Sequence, residues 1–335
     1  MTIFLLIVAF AVILTGCELF VNGIEWFGRK LNLGEGAVGS VLAAVGTALP
    51  ETIIPLVAIL FSGGGAGDEI GIGAILGAPF MLSTLAIFIC GISIVIFALM
   101  KRRTVRVRYN RVIMRRDLAY FLVAYGVAIL CGLFDIGFFR YVVAALLIVG
   151  YAIYVRQTMR SEGDLEGECR ALYFHRTVES PQLGRVVLQL IVALAAIIFG
   201  ADLFVEELTK VAEALGAPAL VISLLLTPVA TELPEKFNSV MWMRDRKDTL
   251  ALGNITGAMV FQSTFPVAIG MAFTDWKLWG EGDWHAAFAA GVAIFSGLVL
   301  YGRLRLTRSG FGVGSLLFGG LLYGCFLGVT LWSIL

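Results

Sequence analysis

Long apolar segments recur along the chain, and short stretches rich in charged residues separate them. Each segment holds roughly 20 residues, the length that an α-helix needs to cross the hydrocarbon core of a bilayer. The pattern predicts ten membrane-spanning helices, near residues 2–21, 36–61, 71–99, 118–133, 138–156, 185–205, 218–242, 250–273, 285–302 and 311–334. We therefore expect an all-α polytopic membrane protein.

The composition excludes a soluble protein of this size. Hydrophobic residues make up 59% of the 335 residues, and the mean hydropathy is +0.92. Soluble domains contain markedly fewer apolar residues. The five cysteines include no C-x-x-C pair, so neither a disulfide framework nor a zinc site is predicted.

The charged residues predict an orientation. Lysine and arginine concentrate in alternate loops, around 29–30, 101–116, 156–185, 244–247 and 303–308, whereas the other loops carry mainly acids. Basic loops remain in the cytoplasm of membrane proteins. We therefore expect a protein of the cell (inner) membrane with cytoplasmic basic loops and both termini outside.

The two halves of the chain repeat each other. When the sequence is shifted by 184 residues, G-C-E-L-F-V at 16–21 aligns with G-A-D-L-F-V at 200–205, and 11 of the 36 pairs from there to Glu51 and Glu235 are identical. A second block aligns 73–84 with 253–264. The repeat divides the chain into a first repeat at 1–156, a cytoplasmic linker loop at 157–184 and a second repeat at 185–335.

Each half holds five predicted spans, an odd number, so the second half enters the membrane from the opposite side. Inverted repeats of this kind are typical of secondary transporters, whose sites lie near the midplane at the repeat interface. The linker between them has mixed charge, which predicts a solvated loop.

Both repeats place a glutamate directly after a proline inside a predicted span. Residues 46–51 are G-T-A-L-P-E and residues 230–235 are A-T-E-L-P-E. A carboxylate in hydrocarbon is costly unless it faces a cavity or a partner, and a proline frees nearby carbonyl oxygens. Together with Thr47 and Thr231, Glu51 and Glu235 would form an oxygen-rich site suited to a hard cation.

These motifs resemble the alpha repeats of the cation/calcium exchanger superfamily. The resemblance extends to L-G-N-I-T-G-A-M-V-F-Q at 252–262 and, more weakly, to I-G-A-I-L-G-A-P-F-M-L at 72–82. It implies an antiporter of ten spans that exchanges calcium or a similar cation against sodium or protons. It also implies that Glu51 and Glu235 are the main ligands, that Thr47 and Thr231 supply further oxygens, and that the cations are cargo rather than bound cofactors.

The chain departs from the family pattern at several expected ligands. The motif serine of the family is replaced by Ala78 and Ala258, and its terminal Asn or Asp by Leu82 and Gln262. Several oxygens are therefore missing, and Gln262 remains as a neutral candidate ligand.

Two charged residues are additions of this chain. On a helix, Glu232 and Glu235 share a face, and Lys236 follows Glu232 by one turn in the favourable order. One hypothesis is that Lys236 pairs with Glu232 and takes space that the family gives to an ion. The competing hypothesis is that Lys236 extends to the cytoplasmic interface.

The sequence does not separate sodium coupling from proton coupling, and it leaves two further functional classes open. A proton could compete at Glu51 or Glu235, since desolvation favours the neutral acid. The missing ligand oxygens are compatible with a relative that does not transport ions and has a structural or sensory role. An intramembrane enzyme using the two carboxylates fits less well, because His175 and His285 lie in a loop and at a span edge.

We expect small inorganic cations and membrane lipid as partners and no nucleic acid, and leave the oligomeric state open.

Overall fold

A computed structural model describes residues 2–48, 52, 55, 59, 66–134, 137–160, 169–175, 180–214, 232–278, 284–307 and 310–334. Within these ranges every regular element is a helix. The helices are α1 (Thr2–Lys30), α2 (Glu35–Thr47, with a π-helical part at Val38–Ala43), α3 (Ala66–Met81, Leu82–Ala86 and Ile87–Leu99, the middle part π-helical), α4 (Arg111–Phe134), α5 (Phe139–Met159), α6 (Leu183–Ala214), α7 (Leu233–Arg244), α8 (Asp248–Gln262), α9 (Phe265–Phe273), α10 (Trp284–Leu306) and α11 (Val313–Ile334).

Eight helical segments in this part of the chain are long and apolar enough to cross a membrane. They correspond to the predicted spans except 36–61 and 218–242, of which the structure describes only parts. The all-helical polytopic fold is confirmed. The exact number of ten spans remains a prediction.

Several helix bounds differ from the predicted ones. Helix α4 begins at Arg111 rather than at 118, helix α1 continues to Lys30, and helix α6 continues to Ala214. The hydropathy pattern assigns the charged residues at these helix ends to loops. A helix can extend past the hydrocarbon core, where its charged side chains are solvated or paired, so hydropathy marks the lipid-crossing part rather than the helix end.

Helices α1 and α6 cross in a way that reflects the internal repeat. A Cβ atom added at Gly16 would lie 2.8 Å from Ile197 and 3.2 Å from the carbonyl oxygen of Ala193. A Cβ atom added at Gly200 would lie 2.9 Å from Ile13 and 3.2 Å from the carbonyl oxygen of Ala9. Each pair is related to the other by a shift of 184 residues. This reciprocity is the signature of a local two-fold relation between the equivalent helices, with glycines allowing close approach.

The second block of the repeat also shows matched contacts. Thr84 donates to the carbonyl oxygen of Phe80 at 2.6 Å, and Thr264 donates to that of Val260 at 2.7 Å. Ser83 and Ser263 donate to the same two carbonyl oxygens. Equivalent positions in the two halves therefore have the same local structure.

Helix α8 lies at the centre of the molecule. Every residue from Asp248 to Gln262 is buried, and α2, α3, α4 and α7 pack around it. Polar side chains on α8 consequently face protein rather than lipid. This placement allows Asn254, Thr256 and Gln262 to bond with neighbouring helices.

The described part of the linker is packed and not merely solvated, which corrects the prediction. The side chains of Asn22 and Trp26 in α1 donate to the carbonyl oxygen of Arg170 at 3.2 and 2.8 Å. Gln189 of α6 accepts a hydrogen bond from the backbone of Phe174. These bonds hold residues 169–175 against α1 and α6. The acidic stretch at 161–168 lies outside the described residues.

Candidate cation site

A described helix ends inside the first glutamate motif, and another begins inside the second. Helix α2 ends at Thr47, and the backbone of Ala48 (φ −83°, ψ 2°) leaves the helical conformation. Helix α7 begins at Leu233, with Glu232 as its N-cap and Pro234 in its first turn. Carbonyl oxygens and amide groups at helix ends are not all used by the helix. Glu51 and Thr231, two of the predicted site residues, lie outside the described residues.

Glu235 is fully buried in the first turn of α7. The N-terminal end of a helix carries a partial positive charge, which favours a carboxylate there. Asn254 of α8 donates to the backbone oxygen of Glu235 at 3.2 Å and to Ser239 at 3.3 Å, and Ser239 donates to Ala251 of α8 at 3.0 Å. These bonds fix the position of α7 against the central helix.

Asn238 extends the polar surface beside Glu235. It lies one turn later on the same face of α7 and is fully buried. Neither amide atom of Asn238 has a hydrogen-bond partner among the described residues. Its amide oxygen therefore adds a neutral oxygen next to the buried carboxylate. Sequence reasoning missed Asn238 because the repeated motif ends before it.

Gln262 links α8 to the second predicted span. Its amide nitrogen donates to the carbonyl oxygen of Ala48 at 3.4 Å and to Thr52 at 3.3 Å. Because a carbonyl oxygen only accepts, this contact fixes which end of the amide faces Ala48. The amide oxygen of Gln262 has no hydrogen-bond partner among the described residues. Gln262 thus brings a neutral oxygen close to Ala48 and Thr52.

The hydroxyl groups of Thr47 and Thr52 each bond to the backbone oxygen four residues earlier. Thr47 donates to the carbonyl oxygen of Ala43 at 2.9 Å, and Thr52 donates to that of Ala48 at 2.7 Å. A hydroxyl that donates in this way can still offer oxygen lone pairs to a cation, and Thr52 already uses one of them to accept the hydrogen bond from Gln262. Both threonines are buried, with 1% and 5% of their surface exposed.

Glu232 and Lys236 form a buried ion pair. The ammonium nitrogen of Lys236 lies 2.7 Å from a carboxylate oxygen of Glu232, and the two side chains are 3% and 2% exposed. Lys236 therefore does not extend to the membrane interface. The spacing of four residues brings the charges together, as one of the two hypotheses for Lys236 predicted.

The positions that lack the family's oxygens are apolar and buried. Ala78, Leu82 and Ala258 are 6%, 0% and 0% exposed. No group of three or more His, Cys, Asp or Glu side chains that could hold a metal occurs in the described part of the chain, which omits Glu51.

Comparison with known proteins places this geometry in a family. Residues 1–158 and 185–332 match the family model described as sodium/calcium exchanger protein. The chain belongs to the sodium/calcium exchanger family. Its members are membrane transporters, so this chain is a cation antiporter and not an enzyme. The intramembrane enzyme is thereby excluded.

Two archaeal relatives illustrate the similarity. The exchanger-family chain is 26% identical over 265 residues, 77% of each protein, to the uncharacterized membrane protein MJ0091 of Methanocaldococcus jannaschii. A segment of 74 residues is 40% identical to the sodium/calcium exchanger MaX1 of Methanosarcina acetivorans and covers 22% of this chain and 21% of that one.

Solved structures of the sodium-calcium exchanger NCX_Mj have the same fold. One of them superposes with a TM-score of 0.75 over 98% of each chain at 21% sequence identity. A second, from a soak with sodium and strontium, gives a TM-score of 0.74 over 98% of this chain and 97% of that one. At this level of sequence identity, the structural similarity shows that the chain has the same fold. It does not identify the residues that bind ions.

Another buried acidic residue of this protein lies outside the repeated motifs. Asp117 of α4 is fully buried, although it falls just before the predicted span 118–133. It accepts hydrogen bonds from Ser40 of α2 at 2.6 Å, Thr256 of α8 at 2.9 Å and Tyr154 of α5 at 3.1 Å, besides a contact with Arg116. Both carboxylate oxygens are therefore occupied by donors, which identifies Asp117 as a structural tie between helices of the two halves.

A network of charged residues lies on the side of the molecule that carries the basic loops. Glu18 of α1 accepts from Arg244 at 3.1 Å, from Arg170 at 3.3 Å and from the hydroxyl of Tyr173 at 2.9 Å. Burial raises the pKa of Tyr173, and its bond to Glu18 raises it further, so the hydroxyl stays protonated and donates. Glu18 is thus engaged at the surface and does not belong to the cation site. The side chain of its repeat partner Asp202 lies outside the described residues.

Proposed function

We propose that the chain is a secondary active antiporter that exchanges calcium or a similar cation against sodium or protons by alternating access. Glu51 and Glu235 are the principal ligands in this proposal, with Thr47, Thr231, Glu232 and Gln262 contributing further oxygens. The observation that carries the proposal is the fully buried carboxylate of Glu235 in the first turn of α7, a helix that begins within the repeated sequence motif.

The neutral oxygens near Glu235 and the second span support this assignment. The amide of Gln262 reaches across from α8 to Ala48 and Thr52, and Thr47 lies directly before Ala48. Carboxylates combined with hydroxyl, amide and backbone oxygens are the ligands that calcium and sodium prefer. Calcium and sodium are transported by the family that the chain belongs to, and the relative MaX1 is named a sodium/calcium exchanger.

Transport by the purified chain tests this proposal. We expect proteoliposomes to accumulate ⁴⁵Ca²⁺ when an outward gradient of sodium or of protons is imposed, because an antiporter couples the two fluxes. A sodium ionophore and a protonophore, applied separately, identify the driving ion. Protein-free liposomes provide the control. Absence of flux with calcium, strontium, sodium and protons alike would favour the transport-inactive relative.

We further propose that the protein lies in the cell membrane with its basic loops in the cytoplasm. Ser180 in the linker and Phe138 between α4 and α5 are both exposed and belong to opposite sides in this arrangement. In a background with Cys169 and Cys325 replaced by serine, a membrane-impermeant maleimide should label Phe138→Cys in intact cells. Labelling of Ser180→Cys should require permeabilised membranes. The reverse pattern would invert the orientation.

A further inference from the structure

The ion pair between Glu232 and Lys236 lies at the start of α7, directly beside Glu235. Glu232 is the N-cap of the helix, and its backbone oxygen accepts a hydrogen bond from the backbone nitrogen of Lys236 at 3.3 Å. Its carboxylate accepts from the ammonium group of Lys236 at 2.7 Å. Backbone and side-chain contacts therefore hold the same two residues together across the first turn.

This pair is a poor source of stability. Both side chains are almost completely withdrawn from solvent. Removing two charges from water costs several kcal/mol each, and buried pairs can often be replaced by apolar residues of similar volume without loss of stability. The charges therefore require another explanation, and their position next to a buried carboxylate of the proposed cation site supplies one.

The contribution of Lys236 is electrostatic. Glu232 and Glu235 together carry two negative charges at one end of α7. The positive charge of the Lys236 ammonium group reduces the net charge there to minus one. An ordinary exchangeable cation near Glu232 would do the same, but it would be released during transport. The ammonium group stays attached to the backbone of α7.

We propose that Lys236 is a tethered cation that permanently neutralises Glu232 and so lowers by one the number of positive charges that the site takes from solution. The inference rests on the proposed function, because it concerns the same site. Its substrates are inorganic cations. In this arrangement Lys236 balances the charge of Glu232, whose oxygen then adds no net charge to the site, and the negative charge of Glu235 is the one that attracts the transported ion.

A pair of single substitutions with opposite effects tests the inference. Lys236→Met removes the positive charge at similar length, and Glu232→Gln removes the negative charge at similar volume. For charges roughly 8 Å apart at an effective dielectric constant of about 20, one unit of charge changes the affinity for a monovalent cation by about 30-fold and that for a divalent cation by more. We expect Lys236→Met to tighten ⁴⁵Ca²⁺ binding by at least about tenfold and Glu232→Gln to weaken it by a similar factor.

Two further variants serve as controls. Lys236→Arg keeps the charge and should bind Ca²⁺ within about threefold of the wild-type protein. The double variant Glu232→Gln/Lys236→Met removes both charges and should return the affinity to near the wild-type value, since the net charge is restored. The Hill coefficient for displacement of ⁴⁵Ca²⁺ by sodium should rise by about one in Lys236→Met alone, because the uncompensated Glu232 takes up an additional ion.

Binding is measured by equilibrium dialysis on the full-length protein in lipid nanodiscs, with thermal unfolding as a check on folding. If the pair has only a structural role, both single substitutions weaken binding, and that result overturns the inference while leaving the proposed function intact. If Lys236→Met does not fold, the double variant decides the question. Failure of the double variant to restore the binding that Glu232→Gln weakens would also overturn the inference. A wild-type protein that binds no cation would refute the proposed function, and the inference with it.

Discussion

Replacement of Glu235 by glutamine should reduce gradient-driven cation uptake by at least about 100-fold. Loss of one charge from a buried ionic contact costs about 3–5 kcal/mol, and each 1.4 kcal/mol corresponds to about a factor of ten. Glutamine has nearly the same volume as glutamate, and Glu235 is fully buried in the first turn of α7. The substitution therefore removes charge with little change in packing.

The measurement is the initial rate of ⁴⁵Ca²⁺ uptake into proteoliposomes with equal amounts of wild-type and variant protein. Glu206→Gln is the matched control, because Glu206 lies on α6 with 61% of its side chain exposed and pairs with Lys210 at the surface. We expect the control to retain wild-type uptake, since exposed pairs contribute little. Glu51→Gln should behave as Glu235→Gln does. Uptake by Glu235→Gln above half of the wild-type rate would refute the assignment of Glu235 as a principal ligand.

Replacement of Gly257 by alanine should destabilise the whole protein. A Cβ atom added at Gly257 of α8 would overlap the backbone of Ser40 in α2, including its carbonyl oxygen. Backbone atoms of packed helices cannot move aside as the end of a flexible side chain can. Overpacking a well-packed interior costs about 1–3 kcal/mol and occasionally more, and we expect Gly257→Ala to lie at the upper end.

Thermal unfolding in detergent checks this expectation. Gly257→Ala should lower the midpoint by at least about 3 °C, which corresponds to about 2 kcal/mol for a chain of this size. Gly291→Ala is the control, because Gly291 of α10 is exposed and no heavy atom of the described residues lies within 4 Å of an added Cβ. Alanine there should leave the midpoint unchanged or raise it slightly, since it favours the helix. An unchanged midpoint for Gly257→Ala would show that α2 and α8 are not packed as closely as described.

Close packing of α2 against α8 also connects stability with the site. Asp117 binds Ser40 of α2 and Thr256 of α8, two residues that lie beside the glycine contact. Gln262 binds the same two segments at the far end of α8. These contacts therefore fix the position of α8, which carries Gln262, relative to the end of α2 at Thr47 and Ala48.

The sequence by itself determined the membrane-spanning architecture, the repeat and the local contacts. Lipid offers no hydrogen bonds to the backbone, so apolar segments of sufficient length must form helices, and the apolar pattern correctly predicted the helices that cross the membrane in the described part of the chain. The pair of Lys236 with Glu232 followed from a spacing of one helical turn. The C-cap Ala48 and the N-cap Glu232 each lie two residues before a proline of the repeated motif.

Only the tertiary structure decided which distant residues meet. Gln262 contacts Thr52 across 210 positions of sequence, and Asp117 joins side chains from α2, α5 and α8. The pattern places Asp117 just outside a span, because an acid after a basic run is usually solvated. Its burial depends on how four helices pack around α8. Periodicity and motifs report the environment along one helix, whereas contacts between helices depend on their relative rotation and depth, which local sequence does not specify.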